Sequence, residues 1–206
     1  MSDRGRVGVL VSGAGTNLQA ILDTLHGREG IEVVGVASNR PGAPALARAE
    51  RAGVPTAVFE EPGYADRDAR DVAIADWLRE RGAGQVALAG YMQLLSPRFL
   101  ARFPGAVINV HPALLPAFPG LDAIGQALSY GVKVFGVTVH LVDEGVDSGP
   151  IILQRAVELP DARGPEEVRE RLRPIEHELL AEGIRLLARG ALSLDPGNPR
   201  RVVIRD

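Results

Sequence analysis

An asparagine, a histidine and a later aspartate form the most distinctive chemical set in this sequence. Asn109 and His111 are separated by one residue at the end of an apolar run that is typical of a strand. Because alternate residues of a strand point to the same face, both side chains can reach one site. A histidine can give or take a proton near neutral pH, and a carboxamide can donate a hydrogen bond to a developing oxyanion. The pair therefore favours an active site over a structural histidine that is bonded in a turn.

The aspartate of this set, Asp147, lies in a glycine-containing segment that also holds Asp143 and Glu144. One of these three acids could orient His111 or relay a proton through water, and the spacing alone does not choose among them. The segment lacks the spacing of a calcium loop, and no histidine or cysteine cluster accompanies it, so the sequence predicts no metal site. His140, at the end of a strand just upstream, is either a partner of this set or a satisfied core histidine.

A glycine-rich turn between the first strand and the first helix is a second candidate site. Gly13 and Gly15 permit a tight turn, and the free N–H groups and the dipole at a helix start favour an anion such as phosphate. The side chains of Ser12, Thr16 and Asn17 can add donors there. The third glycine of a dinucleotide fingerprint and the lysine of a P-loop are both missing, so neither motif applies. The alternative is a plain glycine turn with a threonine or asparagine N-cap.

Short apolar runs alternate with segments of helical period, which is the pattern of βαβ units in an α/β fold with a mostly parallel sheet. Such sheets place their ligands at the carboxyl ends of the strands, where both candidate sites are expected. The sequence predicts strands at residues 7–11, 32–37, 55–59, 85–89, 106–110, 134–141, 151–158 and 201–205. It predicts helices at residues 16–25, 45–52, 66–81, 97–103, 122–130 and 165–189.

Length and composition limit the classes of protein to which this chain can belong. The chain has 206 residues, no cysteine, and a net charge of -3 from 23 basic and 26 acidic residues. The length suits a single domain over residues 1–206, and the lack of cysteine excludes disulfides and cysteine nucleophiles. No polybasic stripe is present, so nucleic acid is disfavoured as a partner. The first apolar run is far shorter than a membrane span and has no signal-peptide pattern, so we expect a cytoplasmic protein without membrane contact.

Four segments together resemble the phosphoribosylglycinamide formyltransferase family. They are Ser12-Gly-Ala-Gly-Thr-Asn-Leu-Gln19, Asn109-Val-His-Pro-Ala-Leu-Leu-Pro116, Gly136-Val-Thr-Val-His140 and Asp147-Ser-Gly-Pro-Ile-Ile-Leu-Gln154. The resemblance spans nearly the whole chain in the right order. The second and fourth segments are specific to folate formyltransferases and deformylases, and the first points to the glycinamide ribonucleotide branch. The resemblance implies a Rossmann-like three-layer formyltransferase fold, in which the N-terminal part binds the ribonucleotide and the C-terminal part binds folate and carries the chemistry.

The resemblance also implies a reaction. The amine of glycinamide ribonucleotide would attack the formyl carbon of 10-formyltetrahydrofolate, which is a co-substrate, and no metal would be required. Asn109 and His111 would stabilise the oxyanion of the tetrahedral intermediate. Asp147 would hold His111 and help to move protons through a bound water. Family members are found as monomers and dimers, so the resemblance implies a monomer or a homodimer.

Two sets of substrate contacts follow from the same resemblance. The residues that would bind the phosphate or the ribose of the ribonucleotide are Gly13, Gly15, Thr16, Asn17, Arg67, Arg173 and Glu176. The residues that would bind the folate are Met92, Gln93, Leu94, Leu95, Val107, Asn109, Val142 and Asp147. Gln93 departs from the arginine that the family frequently carries, so the glutamate tail of the folate would meet a neutral donor there. Without the resemblance, the charges of the third and last predicted helices are typical of solvated helix faces.

Three other functions compete with this interpretation. A methionyl-tRNA formyltransferase would need a further C-terminal domain and a basic surface, and a formyltetrahydrofolate deformylase would carry an N-terminal regulatory domain. A non-catalytic nucleotide-binding module would use only the turn at residues 13–17 and would not need Asn109, His111 and Asp147 together. The polar, glycine-containing loop at residues 142–150 is expected to become ordered when folate binds.

Overall fold

The computed structural model describes residues 5–205, so residues 1–4 and 206 of the expected single domain lie outside the described part. The strands are β1 (Arg6–Val11), β2 (Glu32–Ser38), β3 (Thr56–Val58), β4 (Gln85–Leu88), β5 (Val107–His111), β6 (Val134–Leu141), β7 (Ile151–Glu158), β8 (Leu192–Asp195) and β9 (Asn198–Ile204). The helices are α1 (Thr16–Thr24), α2 (Pro44–Arg51), α3 (Arg67–Glu80), α4 (Pro97–Leu100), α5 (Ala123–Tyr130) and α6 (Pro165–Arg189). A single 3-10 turn covers Glu61–Gly63.

The nine strands of the described region form one sheet in the order β3-β2-β1-β4-β5-β6-β7-β9-β8. Strands β1 to β5 pair with one another in parallel, whereas β6 is antiparallel to both β5 and β7. The order reverses at β1, which lies between β2 and β4, and such a switch point opens a crevice at the carboxyl ends of the strands. The prediction of an α/β fold with a mostly parallel sheet is confirmed.

Helices cover both faces of the sheet because the central strands are apolar on both sides. In β1, Val9 packs in a core with α1, α2 and α6, whereas the next residue, Leu10, packs in a second core with α3 and α4. This alternation follows from the two-residue period of a strand. The result is a three-layer structure whose rigid centre holds the loops that follow β1, β4 and β5.

The bounds of the last helix follow from residues that start and stop helices. Pro165 occupies the first turn of α6, where its missing N–H costs nothing, and Glu166 and Glu167 favour the positive end of the helix dipole. Gly190 ends α6 in the left-handed region, which glycine adopts without strain. These signals make the predicted range 165–189 agree with the structure.

The C-terminal strand differs from the prediction. A strand was expected at residues 201–205, but the chain forms a hairpin in which β9 begins at Asn198 and pairs with the unpredicted strand β8. β8 has only four residues, and the first four residues of β9 are exposed, so neither strand presents a long apolar run. None of the helices in the described part of the chain combines the length and the apolar character that a membrane span requires.

Candidate active site

A cavity of about 570 Å³ opens at the carboxyl ends of the central strands. Seven of the eight residues expected to contact folate line it: Met92, Gln93, Leu94, Leu95, Asn109, Val142 and Asp147. The eighth, Val107, does not line the cavity, because it begins β5 and is buried in the core between the sheet and α4. It reaches the site only indirectly, through its carbonyl, which accepts the N–H of Val142 at 2.9 Å.

The chemistry-bearing residues Asn109, His111, His140 and Asp147 meet at the wall of this cavity and are called the catalytic corner below. Asn109 and His111 end β5, and the antiparallel pairing of β5 with β6 sets Asn109 directly opposite His140. The Asn109 amide nitrogen lies 3.2 Å from His140 Nε2 and donates to Asp147 Oδ1 at 3.1 Å. The cross-strand register therefore makes His140 a partner of this set.

Asp147 joins the two histidines and a distant loop. Its Oδ2 lies 3.3 Å from His111 Nδ1 and accepts the N–H of Gly120 at 2.8 Å, while its Oδ1 lies 3.5 Å from His140 Nε2. On the other side of the ring, His111 Nε2 lies 2.8 Å from the carbonyl oxygen of Phe118. Both ring nitrogens of His111 therefore face oxygen atoms, an arrangement in which the imidazolium form would donate a hydrogen bond on each side.

The structure also separates Asp147 from the neighbouring acids. Asp143 Oδ1 accepts hydrogen bonds from the N–H of Gly145 and the hydroxyl of Ser148, so its carboxylate closes the turn of its own loop. Glu144 is exposed and does not line the cavity. Of the three acids, only Asp147 contacts His111. Within residues 5–205, no group of three or more histidine, cysteine, aspartate and glutamate side chains could hold a metal ion.

The pKa of Asp147 reflects this pairing. Burial by itself raises the pKa of the carboxyl, but hydrogen bonding to His140, the N–H of Gly120 and the positive potential of His111 outweigh burial. The net result is a pKa below the ordinary value, so the carboxylate is stabilised in its charged form. A charged, pre-oriented acceptor is what a proton-transfer role beside a histidine requires.

The glycine-rich turn at residues 12–15 connects β1 to α1. Gly15 has a φ of 76°, and a side chain there would meet the Cβ of Ala45 at 2.6 Å, so the close approach of α2 requires glycine. The turn carbonyls are occupied, because the N–H of Ala45 donates to Gly13 and the Nε of Arg48 donates to Ala14. The first N–H groups of α1 have no partner within the helix and remain the natural place for an anion.

The structure contradicts both the expected donor role of Ser12 and the alternative of a threonine or asparagine N-cap. Ser12 is not a free donor for an anion, because its hydroxyl donates to Asn39 Oδ1 at 2.6 Å and accepts the N–H of Met92 at 2.9 Å. No threonine or asparagine caps α1, since Gly15 occupies the N-cap position and no side chain bonds to the helix start. Asn17 is directed elsewhere: its amide donates to Glu176 Oε2 at 3.2 Å.

The carboxylate of Glu176 has few hydrogen-bonding or charged neighbours among the described residues. Burial raises its pKa above the ordinary value, although the hydrogen bond from Asn17 and the positive charges of Arg173 and Arg169 oppose the shift. The Oδ1 atom of Asn17 is itself buried with no hydrogen-bond partner among the described residues. Buried polar groups are normally paired, so this pair is incomplete as it stands.

Of the two expected phosphate ligands outside the turn, Arg67 is exposed and Arg173 is half-buried. Arg173 lies 3.9 Å from Glu166, at the limit of an ion pair, and shares one face of α6 with Glu176. Arg67 begins α3 and makes no ion pair within residues 5–205. The structure therefore brings Asn17 and Glu176 into contact, while Arg67 and Arg173 make no close ion pair with either of them.

Sequence reasoning missed a buried ion pair beneath the cavity. Arg70 and Asp71 of α3 are both buried, and the guanidinium donates twice to Asp71 Oδ1. The other carboxylate oxygen accepts the N–H of Ser96 at 2.7 Å, which fixes the end of the loop that carries Met92 to Leu95. Nearby, burial raises the pKa of Tyr91 to about 12, against the opposing charge of Arg70. Two adjacent charges on a helix are typical of a solvated face, so no sequence signal marked this pair.

Known proteins share this fold and much of this sequence. The sequence matches the family model described as formyl transferase over residues 5–184. The crystal structure of glycinamide ribonucleotide transformylase 1 from Symbiobacterium toebii superposes with a TM-score of 0.93 at 49% identity, covering 98% of this chain and 94% of that chain. The fold is therefore that of a formyl transferase.

The relatives narrow the class further. The chain is 42% identical over 171 residues to phosphoribosylglycinamide formyltransferase of Bacillus subtilis, which covers 82% of this chain and 88% of that protein. It is also 42% identical over 192 residues to the trifunctional purine biosynthetic protein adenosine-3 of Bos taurus, but it spans only 19% of the length of that relative. The chain belongs to the phosphoribosylglycinamide formyltransferase family.

Proposed function

We propose that this chain transfers the formyl group of 10-formyltetrahydrofolate to the amine of glycinamide ribonucleotide. The observation that carries the proposal is the convergence of Asn109, His111 and Asp147 at the wall of a cavity next to a glycine-rich turn. A nucleotide-binding module would need the turn alone and has no use for a paired histidine and carboxylate in the adjacent cavity. Membership in the family supports the same reaction.

The ribonucleotide would lie along the N-terminal part of the chain, on what we call the ribonucleotide side. Its phosphate would bind at the backbone N–H groups of Gly13, Gly15, Thr16 and Asn17. The guanidinium groups of Arg67 and Arg173 would add charge-assisted hydrogen bonds to this phosphate. Glu176 would accept hydrogen bonds from the ribose hydroxyls, and the hydrogen bond from Asn17 would hold its carboxylate in place.

The folate would fill the cavity on the other side of the catalytic corner. Its ring system suits the apolar wall of Leu95 and Val142 together with Met92 and Leu94, which are 56% and 45% exposed. Such large exposed apolar side chains at a cavity mouth are typical of a surface that a ligand covers. Gln93 would face the glutamate tail as a neutral hydrogen-bonding group.

The reaction would begin when the amine nitrogen attacks the formyl carbon and the carbonyl oxygen gains negative charge. Asn109 and His111 would donate hydrogen bonds to that oxyanion. In the structure these donors are directed to Asp147, His140 and the carbonyl of Phe118, so the oxyanion has to replace one partner of each. The loop that carries Phe118 is therefore expected to shift when the substrates bind.

Asp147 would then take part in the proton transfers of the reaction. The attacking amine forms its new C–N bond and gives up a proton, which Asp147 would accept directly or through water. The bond between the formyl carbon and N10 of the folate breaks, and N10 receives a proton as tetrahydrofolate leaves. The lowered pKa of Asp147 keeps the carboxylate charged and makes it release an accepted proton readily, and its contact with His111 holds the ring in place. The proposal includes no metal ion, a cytoplasmic location, and a monomer or homodimer.

The test is a transfer assay with the purified protein, 10-formyltetrahydrofolate and glycinamide ribonucleotide, in which release of tetrahydrofolate is followed by absorbance. The proposal expects release only when the ribonucleotide is present, and a formylated ribonucleotide as the second product. Release without the ribonucleotide would identify water as the acceptor and would favour a deformylase. Binding of the ribonucleotide with no release of tetrahydrofolate would favour the non-catalytic module.

A further inference from the structure

The hydroxyl of Ser12 connects three loops at the switch point of the sheet. It donates to Asn39, which follows β2, and accepts the N–H of Met92, which follows β4, while Ser12 itself follows β1. The backbone N–H of Ser12 adds a bond of 3.1 Å to the carbonyl of Gly90. One buried side chain, 2% exposed, therefore fixes the glycine-rich turn against the loop that forms the folate wall.

The chemistry of a serine hydroxyl makes this link specific. A hydroxyl carries one proton to donate, and here that proton goes to the carboxamide oxygen of Asn39, so the Met92 N–H meets a lone pair. Both functions are used, and no donor remains for a phosphate. In a buried site, loss of the hydroxyl would leave the Met92 N–H and the Asn39 oxygen without their partner.

We infer that Ser12 is a positioning residue that sets the distance between the two substrate subsites. It acts through the backbone of Met92 and touches neither substrate. The inference rests on the proposed function, since it assigns the folate to the wall at Met92–Leu95 and the phosphate to Gly13–Asn17. The attacking amine and the formyl carbon come from molecules held by these two segments, and a small error in their separation is costly.

The chain offers a matched control in Ser38. It is 1% exposed and lies at the carboxyl end of β2, the strand next to β1. Its hydroxyl donates to the carbonyl of Arg40 and accepts the N–H of the same residue, so it closes a local turn and connects no second loop. Ser38→Ala and Ser12→Ala therefore remove equally buried hydroxyls that each make two hydrogen bonds.

The experiment measures binding of tetrahydrofolate and of glycinamide ribonucleotide by calorimetry, without turnover, for the wild type, Ser12→Ala, Ser12→Thr and Ser38→Ala. Loss of the buried link is expected to weaken tetrahydrofolate binding by about tenfold in Ser12→Ala, with ribonucleotide binding changed less than about twofold. Ser12→Thr keeps the hydroxyl and should recover part of the affinity. Ser38→Ala should lower the melting temperature about as much as Ser12→Ala and leave both affinities unchanged.

Three results would overturn the inference. Weaker ribonucleotide binding in Ser12→Ala with normal tetrahydrofolate binding would make Ser12 a phosphate ligand. Equal losses of tetrahydrofolate affinity in Ser12→Ala and Ser38→Ala would show that the Ser12 hydroxyl contributes only general stability. If Ser12→Ala does not fold, Asn39→Ala breaks the same link from its other end, and a normal tetrahydrofolate affinity in that variant would likewise overturn the inference. A wild type that binds no tetrahydrofolate would instead contradict the proposed function itself.

Discussion

The catalytic corner and the ribonucleotide side differ in how far their polar groups are paired before any substrate arrives. Asp147 contacts four groups from three segments of the chain, so the polar groups of the corner are paired with one another. On the ribonucleotide side, Asn17 and Glu176 share one hydrogen bond, Arg67 is exposed and Arg173 is half-buried. The difference indicates that the groups proposed for the chemistry are pre-organised, whereas the groups proposed to bind the charged ribonucleotide are incompletely paired before it binds.

The pKa values of Asp147 and Glu176 reflect the same difference between the two regions. Burial acts on both, but three polar or charged neighbours lower the pKa of Asp147 below its ordinary value, whereas the pKa of Glu176 stays raised. Asp147 is therefore stabilised as an anion by the fold, and Glu176 is destabilised as an anion. A ribose hydroxyl that donates to Glu176 would remove part of this cost, which adds to the affinity for the substrate.

The largest effect is expected at the catalytic corner. His111→Ala removes an oxyanion donor and Asp147→Asn removes the proton acceptor, so each should lower kcat by about 10²–10³ with little change in substrate affinity. Steady-state kinetics with both substrates varied would measure this. His26→Ala is the control, because its ring accepts the N–H of Val33 away from the cavity. A tenfold or smaller loss in both variants would show that the corner does not carry the chemistry.

A smaller effect of a different kind is expected on the ribonucleotide side. Glu176→Gln removes the charge that strengthens hydrogen bonds to the ribose, so the KM for the ribonucleotide should rise about tenfold, with kcat nearly unchanged. Glu178→Gln is the matched control on the same helix, since its exposed carboxylate pairs with Arg155 and faces away from the site. Equal kinetics for Glu176→Gln and the wild type would remove Glu176 from the substrate site.

Stability against pH should distinguish the two carboxylates by sign. The lowered pKa of Asp147 contributes stability above its ordinary value of 3.8, and this contribution is lost as the pH falls through the folded value. The raised pKa of Glu176 contributes stability below 4.5, and this contribution is lost as the pH rises through the folded value.

Urea denaturation between about pH 3 and pH 7 would reveal these opposite slopes. Asp147→Asn should be less stable than the wild type at neutral pH, with a gap that closes in acid. Glu176→Gln should be more stable than the wild type at neutral pH, with an advantage that disappears in acid. Shifts of the same sign in both variants would contradict the contrast between the two regions.

The smallest effect is expected at the edge of the catalytic corner. Asp147 has a φ of 49°, which is an unfavourable conformation for a residue with a side chain, so neighbouring contacts have to hold it. One such contact comes from Arg200 of β9, whose side chain donates to the carbonyl of Ser148, the residue after Asp147, at 2.6 Å. Arg200→Gln should therefore lower kcat by about threefold, the loss typical of one exposed hydrogen bond. Arg201→Gln, whose side chain pairs with Asp195, should leave kcat unchanged. Identical rates for both variants would exclude a contribution from the hairpin.

The sequence predicted the parts of the fold that local patterns determine. The range of α6 follows from Pro165 and Gly190, and the apolar runs of β6 and β7 give their ranges as observed. The hairpin of β8 and β9 was not predicted as a whole, because an exposed edge strand needs no apolar face. The antiparallel direction of β6 also depends on pairing between distant strands, which residue patterns do not encode.

The candidate site was likewise predictable from the sequence only in part. The residue types at Asn109 and His111 indicated chemistry, and their strand-end position placed them at the sheet edge. Spacing alone did not choose Asp147 over Asp143 and Glu144, whereas the family resemblance pointed to Asp147, which the path of the loop brings to His111. The contact of Asn109 with His140 required the register of β5 and β6. The role of Ser12 was also hidden, since a serine beside a glycine turn resembles a phosphate ligand.

The measurement that tests the division between the two regions most directly is the single-turnover rate of formyl transfer at saturating ribonucleotide and folate. We expect Glu176→Gln to regain the wild-type rate once the ribonucleotide saturates, because only binding is impaired. We expect His111→Ala to stay slower by about 10²–10³ at any concentration. A Glu176→Gln protein that remains slow at saturation, or a His111→Ala protein that recovers, would show that binding and chemistry are not divided between the two regions.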